Sequence, residues 1–304
     1  MIYLMTDYGT KDYFVSALKI VINNFLNNFN LKTDIIDITH NIERHNVLEG
    51  IINLQSVLDI VNNNSIFLVV IDPQVGSNQD LIYNKPIFAK FSKNKKELYI
   101  ISRNSGILTA FYNKNYKLEF IYKISLKNIL KDIKLKGIFY KSSITNIDNT
   151  FHGKAVFSPI AALTFLKLNN INYLDKFIIK DYNLKPFIYK DLFKIEINQN
   201  FIKGNLLYSD HFGNILTNIP NDKLKKIKYA MIINENFNEN KILIKKMYSS
   251  YSQALRDELF FIKGSFGYLE ISINKKSALE YLINHFNIDK VNFNITDFKI
   301  IVYF

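Results

Sequence analysis

The strongest constraint on this chain is a change of rhythm near its middle. Through the first half, short apolar runs alternate with longer stretches at helical spacing. Ile2–Met5 reads as a strand, and Asp12 to about Phe29 as a helix with Phe14, Leu18, Val21, Ile22 and Phe25 on one face. Thr33–Ile38 reads as the next strand. Asn46 to Val61 reads as the next helix, with Val47, Ile51, Leu54, Leu58 and Val61 together. Ile66–Ile71 is uninterrupted and rich in β-branched residues, the pattern of a strand buried on both faces. Ile87–Phe91 and Leu98–Ser102 read as a strand pair, and Pro159–Leu168 as a helix with its proline early. This alternation predicts an α/β domain with a mostly parallel, Rossmann-like sheet over residues 1–182.

Beyond about Lys180 the helices give way to short alternating runs. They are Leu192–Ile197, Ile202–Tyr208, Ile215–Ile219, Ala230–Ile233, Ile242–Ile244, Phe260–Ile262 and Tyr268–Ile273. Gly204, Gly213, Gly264 and Gly267 punctuate them. The pattern predicts a β-rich, barrel-like domain over 187–304, joined through Asp181–Pro186. Asn287–Phe304 reads as a terminal strand or extension with no assigned role.

Composition then narrows the function classes. With 48% hydrophobic and 22% charged residues the chain is globular rather than disordered. No stretch has the ~18 apolar residues of a membrane span, so no membrane association is expected. The N-terminal residues meet Asp7 too early for a signal peptide, and a cytoplasmic location is expected. The absence of Cys excludes disulfides and thiolate metal sites. The net charge of +12 raises the question of nucleic acid. Only Arg44, Arg103 and Arg256 are Arg, however, and the Lys are spread along the whole chain. Lys, Asn, Ile, Phe and Tyr share A/T-rich codons, so the charge reads as compositional drift and no nucleic-acid partner is expected.

Open α/β sheets bind ligands beyond the carboxyl ends of their strands. Polar residues gather there: Thr6-Asp7-Tyr8-Gly9 with Asp12, Asp72-Pro73-Gln74-Val75-Gly76-Ser77, and Arg103-Asn104-Ser105-Gly106. Thr150-Phe151-His152-Gly153-Lys154 precedes the Pro159 helix. Each Asp alone could be a helix cap or turn residue. Their convergence favours a site. There is no dinucleotide fingerprint, P-loop or nucleophile elbow. The five His are scattered, so no metal is expected.

Further clusters extend the pattern: Ile38-Thr39-His40-Asn41-Ile42 with Glu49-Gly50, Asp210-His211-Phe212-Gly213-Asn214 with Thr217-Asn218-Ile219, and Gly264-Ser265-Phe266-Gly267-Tyr268-Leu269-Glu270-Ile271. In this order, over roughly residues 1–280, they resemble the S-adenosyl-L-methionine hydroxide adenosyltransferases, hydrolase relatives of the fluorinase and chlorinase. The resemblance implies hydrolysis of S-adenosyl-L-methionine to adenosine and L-methionine, with no cofactor. It implies a homotrimer with each active site between the N-terminal domain of one subunit and the C-terminal domain of the next. It puts Asp72 and His152 in the catalytic positions, Asp7 on the ribose diol and Asp12 near the methionine ammonium. Asp210 and Ser265 match contacts to the amino-acid end, Phe212 and Asn214 contacts to adenine, and Tyr251 a wall of the pocket. Asp72 stands where the halogenases carry an aromatic residue, His152-Gly153 matches the hydrolases, and Phe266 replaces the Arg that follows the Ser in the fluorinase.

The hydrolases pair the Asp with an Arg seven residues later. Here that position is Gln79, and Gln supplies no fixed charge. Two readings follow. One is a hydrolase, slowed or altered, in which Arg103 or Lys154 replaces the lost charge. The other is a catalytically weakened sensor or scaffold that binds S-adenosyl-L-methionine or adenosine.

Overall fold

The computed structural model describes residues 1–73, 84–125, 137, 151–234 and 240–304. Contacts divide the chain into two compact units, Met1–Tyr189 and Lys190–Phe304.

The N-terminal unit is a sheet with helices on both faces. Its elements in chain order are β1 (Ile2–Thr6), α1 (Phe14–Asn27), β2 (Ile35–Thr39), α2 (Val47–Leu58), β3 (Ser65–Val70), β4 (Pro86–Lys93), β5 (Lys96–Arg103), α3 (Thr109–Asn113), β6 (Lys117–Ile124), α4 (Ser158–Leu168) and β7 (Ile178–Ile179). The seven strands run β2-β1-β3-β5-β4-β6-β7 among the described residues. Side chains alternate across the sheet, as the pleat requires. Ile2, Leu4, Ile66, Leu68 and Val70 face α1 and α4, where Leu18, Phe25, Phe157 and Leu163 close the core. Phe67 points the other way and meets Phe111 of α3 edge to face.

The expectation of a mostly parallel sheet needs correcting. β2, β1, β3 and β5 are parallel neighbours, but β4 pairs antiparallel with both β5 and β6, and β7 is antiparallel to β6. The cause is the two-residue turn Asn94-Lys95, in which both residues have positive φ. Such a turn forms a hairpin and cannot provide a crossover. β6 was not singled out by its patterning, because its residues are mostly half-buried rather than cleanly alternating.

The C-terminal unit comprises β8 (Glu196–Ile197), β9 (Phe201–Ser209), β10 (Ile215–Pro220), β11 (Tyr229–Asn234), β12 (Lys241–Ile244), β13 (Met247–Tyr248), β14 (Leu259–Lys263), β15 (Tyr268–Ile273), α5 (Ala278–Phe286) and β16 (Phe298–Tyr303). The strand order is β12-β11-β16-β9-β10-β15-β14-β13, with β8 paired to β9. β12 also packs against β14 across the sheet, so the sheet curls around one core. Helix α5, capped by Ser277 at its start, drives Ala278, Leu282 and Phe286 into that core.

The C-terminal residues are no loose extension. β16 lies between β11 and β9, antiparallel to both, and Phe298, Ile300 and Val302 are buried. The sequence places this strand last, whereas the sheet uses it near the middle. Ile300→Ala should therefore cost about 2–5 kcal/mol, as for other buried aliphatic truncations. Ile301→Ala, on the half-buried face, should cost far less. Urea denaturation of the two variants checks this; equal losses would contradict a central role for β16.

Candidate active site

β1, β3 and β5 are consecutive parallel neighbours, so their carboxyl ends lie along one edge of the sheet. β1 leads into Asp7, β3 into Asp72, and β5 ends on Arg103. Residues distant in sequence thus become neighbours. Arg103 Nε donates to Asp72 Oδ2 at 2.6 Å, and Arg103 Nη2 donates to His152 Nδ1 at 2.7 Å. Asn84 Nδ2 donates to Asp72 Oδ1 at 2.9 Å, while the Asn84 backbone carbonyl accepts from Arg103 Nη1 at 3.0 Å. Asp72 is thus held through both carboxylate oxygens, and the guanidinium joins it to His152. The Asp72 and Arg103 side chains are only 14% and 16% exposed, so water screens this pair less than a surface pair.

His152 stands at the start of a π-helical turn, Gly153–Phe157, that runs into α4. π turns of this kind often occur at functional sites. Gly153 permits it: a Cβ there would lie 2.6 Å from the Tyr8 hydroxyl and 3.1 Å from Leu18. Tyr8, Phe14 and Phe151 pack their rings together beside the histidine. Burial pushes the Tyr8 hydroxyl well above its ordinary pKa, and the nearby Asp7 and Asp72 charges push it the same way.

Asp7 is almost buried, and its Oδ2 accepts from the His45 backbone N–H at 3.0 Å. Burial raises its pKa above the usual carboxylate value, and that hydrogen bond pulls in the opposite direction. The His45 ring lies across the gap between Asp7 and Asp72. Its Nδ1 reaches the Asp72 carbonyl oxygen at 2.5 Å and stands 4.0 Å from Asp7 Oδ2. His40, by contrast, is buried, bonded to Thr6 Oγ1 and paired with Asp37.

The other expected residues divide unevenly. Asp12 is exposed ahead of α1 and makes no hydrogen bond or ion pair among the described residues. Lys154 likewise makes no ion pair among them, so of the two cations considered for the lost charge Arg103 alone spans the Asp and the His. Gln74–Ser77, Gln79, Asp80 and Thr150 lie outside the described residues.

The C-terminal unit carries its own cleft of about 730 Å³, lined by Asp210, Phe212, Asn214, Tyr251, Ser265, Phe266, Glu270, Ile273, Lys275 and Lys276. All five residues expected in this half therefore share one pocket. Asp210 organises the turn beneath it. Its Oδ1 accepts from the Phe212 and Asn214 backbone N–H groups, and its Oδ2 from Asn214 Nδ2, each at 2.9 Å. Gly213 completes the turn with φ +83°, where a Cβ would meet the Ser277 backbone at 2.8 Å. The turn leaves Phe212 77% exposed on the wall of the cleft. Thr217 and Asn218 are buried instead, and Asn218 ties β9 to the Leu192 and Lys194 carbonyls.

Glu270 was not singled out as a site residue. Its buried carboxylate accepts from the Tyr251 hydroxyl at 2.5 Å and the Ser272 hydroxyl at 3.0 Å. Burial and the Glu270 carboxylate both push the Tyr251 hydroxyl well above its ordinary pKa. A charged residue inside the mostly apolar run Tyr268–Ile273 was the available signal. For His45 the signal was fainter: it immediately precedes Asn46, whose side chain caps α2 by accepting from the Glu49 N–H.

Among the described residues no cluster of His, Asp and Glu is arranged to hold a metal ion, and no helix is long and apolar enough to cross a membrane.

Comparison with known proteins agrees over most of the chain. Residues 2–172 match the model of the SAM hydroxide adenosyltransferase N-terminal domain, and residues 204–285 that of the C-terminal domain. An (R)-S-adenosyl-L-methionine hydrolase of Methanocaldococcus jannaschii is 30% identical over 275 residues, 90% of this chain and 88% of that protein. A crystal structure of an uncharacterized conserved protein from Thermotoga maritima superposes with a TM-score of 0.73 at 25% identity, covering 99% of each chain. A conserved hypothetical protein from Thermus thermophilus shares the fold, with a TM-score of 0.65 at 15% identity over 100% of this chain and 99% of that one. The chain belongs to the SAM hydroxide adenosyltransferase family.

Proposed function

We propose that this chain hydrolyses S-adenosyl-L-methionine: water attacks C5′, and adenosine and L-methionine leave. The observation that carries this reading is the Arg103 guanidinium bridging Asp72 and His152 at the carboxyl edge of the sheet. The sulfonium is a good, neutral leaving group and needs no acid. The demand falls on the nucleophile, which must be held in line and relieved of a proton. Asp72 and His152, fixed by one rigid fork, suit the task of holding that water. The bridge also supports Arg103 as the replacement for the charge that Gln79 lacks.

The substrate roles follow. Asp7 receives the ribose diol. Phe212 and Asn214 hold adenine, Ser265 contacts the amino-acid end, and Tyr251 forms a wall. Asp210 acts by shaping the turn that presents Phe212 and Asn214. Asp12 is assigned to the methionine ammonium by resemblance alone. Carboxylates suit a cationic substrate even in a protein of net charge +12. The same reading takes the N-terminal unit as Rossmann-like over 1–182 and the C-terminal unit as barrel-like over 187–304. It also takes the protein as a cytoplasmic homotrimer that uses no cofactor or nucleic acid, with each site shared by two subunits.

Incubation with S-adenosyl-L-methionine, followed by chromatography of adenosine and methionine, tests the activity. Release above a His152→Ala control is expected. Ligand-induced thermal stabilisation without turnover would favour the sensor instead. Arg103→Gln should lower kcat about 100-fold, the scale of misplacing a positioned group; unchanged turnover would remove Arg103 from the mechanism. Asp7→Ala should raise KM by on the order of 10- to 100-fold, the cost of charged hydrogen bonds, with a smaller change in kcat. The opposite split would count against the ribose role. If sites are shared between subunits, mixed and reassembled Asp72→Asn and Asn214→Ala proteins should recover turnover that neither has alone; no recovery would argue for sites within one chain.

A further inference from the structure

The hydrolysis releases a proton, and the hydrogen bonds restrict which group takes it up. An arginine guanidinium only donates, and a backbone carbonyl only accepts. His152 Nδ1 receives the Arg103 Nη2 donor, so that nitrogen is the acceptor and the neutral ring carries its proton on Nε2. In this tautomer His152 can donate toward the attacking oxygen but cannot take its proton through Nε2. Asp72 is engaged through both oxygens by Arg103 and Asn84, which suits orientation.

His45 has the opposite arrangement. Its Nδ1 faces the Asp72 carbonyl oxygen, so Nδ1 carries the hydrogen and Nε2 carries the lone pair. The residue is held firmly. Its backbone has φ +66°, a left-handed conformation uncommon outside glycine, and its N–H is bonded to Asp7. Asn46 bonds back to Glu43 while capping α2, which fixes the turn on both sides. A residue held in this left-handed conformation, with its N–H on the Asp7 carboxylate and its ring nitrogen on the Asp72 backbone carbonyl, is a functional candidate. The ring is 50% exposed, so a captured proton has a route to solvent.

We propose that His45 Nε2 is the general base, and that His152 serves as a donor that positions the water. The proposal rests on the hydrolase reading. In the step, a water O–H bond breaks and its proton goes to His45 Nε2 as the oxygen bonds C5′. The C5′–S bond breaks, and its electron pair moves to sulfur, leaving the neutral thioether of methionine. His45 then releases the proton to solvent, and the products are adenosine, L-methionine and one proton.

The test compares wild type, His45→Gly, His45→Asn and His152→Gln on S-adenosyl-L-methionine, with and without added imidazole. Gly and Asn both accept a left-handed backbone, so folding should survive, as circular dichroism and melting check. His45→Gly should lose about 100- to 1,000-fold in kcat, the scale of a general base, with KM changed only a few-fold. Imidazole should enter the vacated space and restore at least a tenth of the lost kcat. His45→Asn should be as slow, and His152→Gln, whose amide still donates, should be faster than either. A His45→Gly protein with near-wild-type kcat, or one that imidazole does not rescue, overturns the assignment. A wild type that releases no adenosine overturns the hydrolase reading itself, and this inference with it.

Discussion

One guanidinium organises the N-terminal half of this protein. Arg103 ends β5 and reaches Asp72 at the end of β3 and His152 at the start of a π turn. Three segments that are far apart in sequence are tied by donors that cannot be switched off, because Arg stays charged at any relevant pH. The tie sets the tautomer of His152 and pins the carboxylate of Asp72. Removing the guanidinium would leave a mostly buried carboxylate without its cation, a change that is usually costly.

The sheet makes this tie possible. Parallel β1, β3 and β5 bring Asp7, Asp72 and Arg103 to one edge, and the β4–β5 hairpin sets the far side of β5. Asn84, just before β4, contributes to the same network from both its amide and its carbonyl. The antiparallel half of the sheet therefore contributes to the site as well as to the core. In the C-terminal unit a similar economy operates: Asp210 holds a glycine-containing turn, and Glu270 anchors Tyr251 from inside a buried strand.

Much of this was legible in the sequence. Helices α1 and α2 announced themselves by period, because each buries one apolar face, and β1 and β3 by apolar runs buried along their whole length. The motif residues of the C-terminal half, Asp210 to Ser265, gather in one cleft. The hidden parts were those set by tertiary partners. β6 is half-buried and carries no clean alternation. The last strand, β16, looks like an appendage in sequence because nothing local says which neighbours it will pair with. Arg103 could be proposed as the missing charge, but only its strand position separates it from Lys154. His45 was indistinguishable from any loop histidine until the fold laid it across Asp7 and Asp72.

The central claim concerns where two protons sit, and nitrogen NMR of the histidine rings reads that directly. In protein labelled with 15N at His, at a pH where both rings are neutral, the account predicts His152 protonated on Nε2 and His45 on Nδ1. Arg103→Gln should release the His152 preference. A His152 ring protonated on Nδ1 in the wild type would contradict the Arg103 bridge and the division of labour built on it.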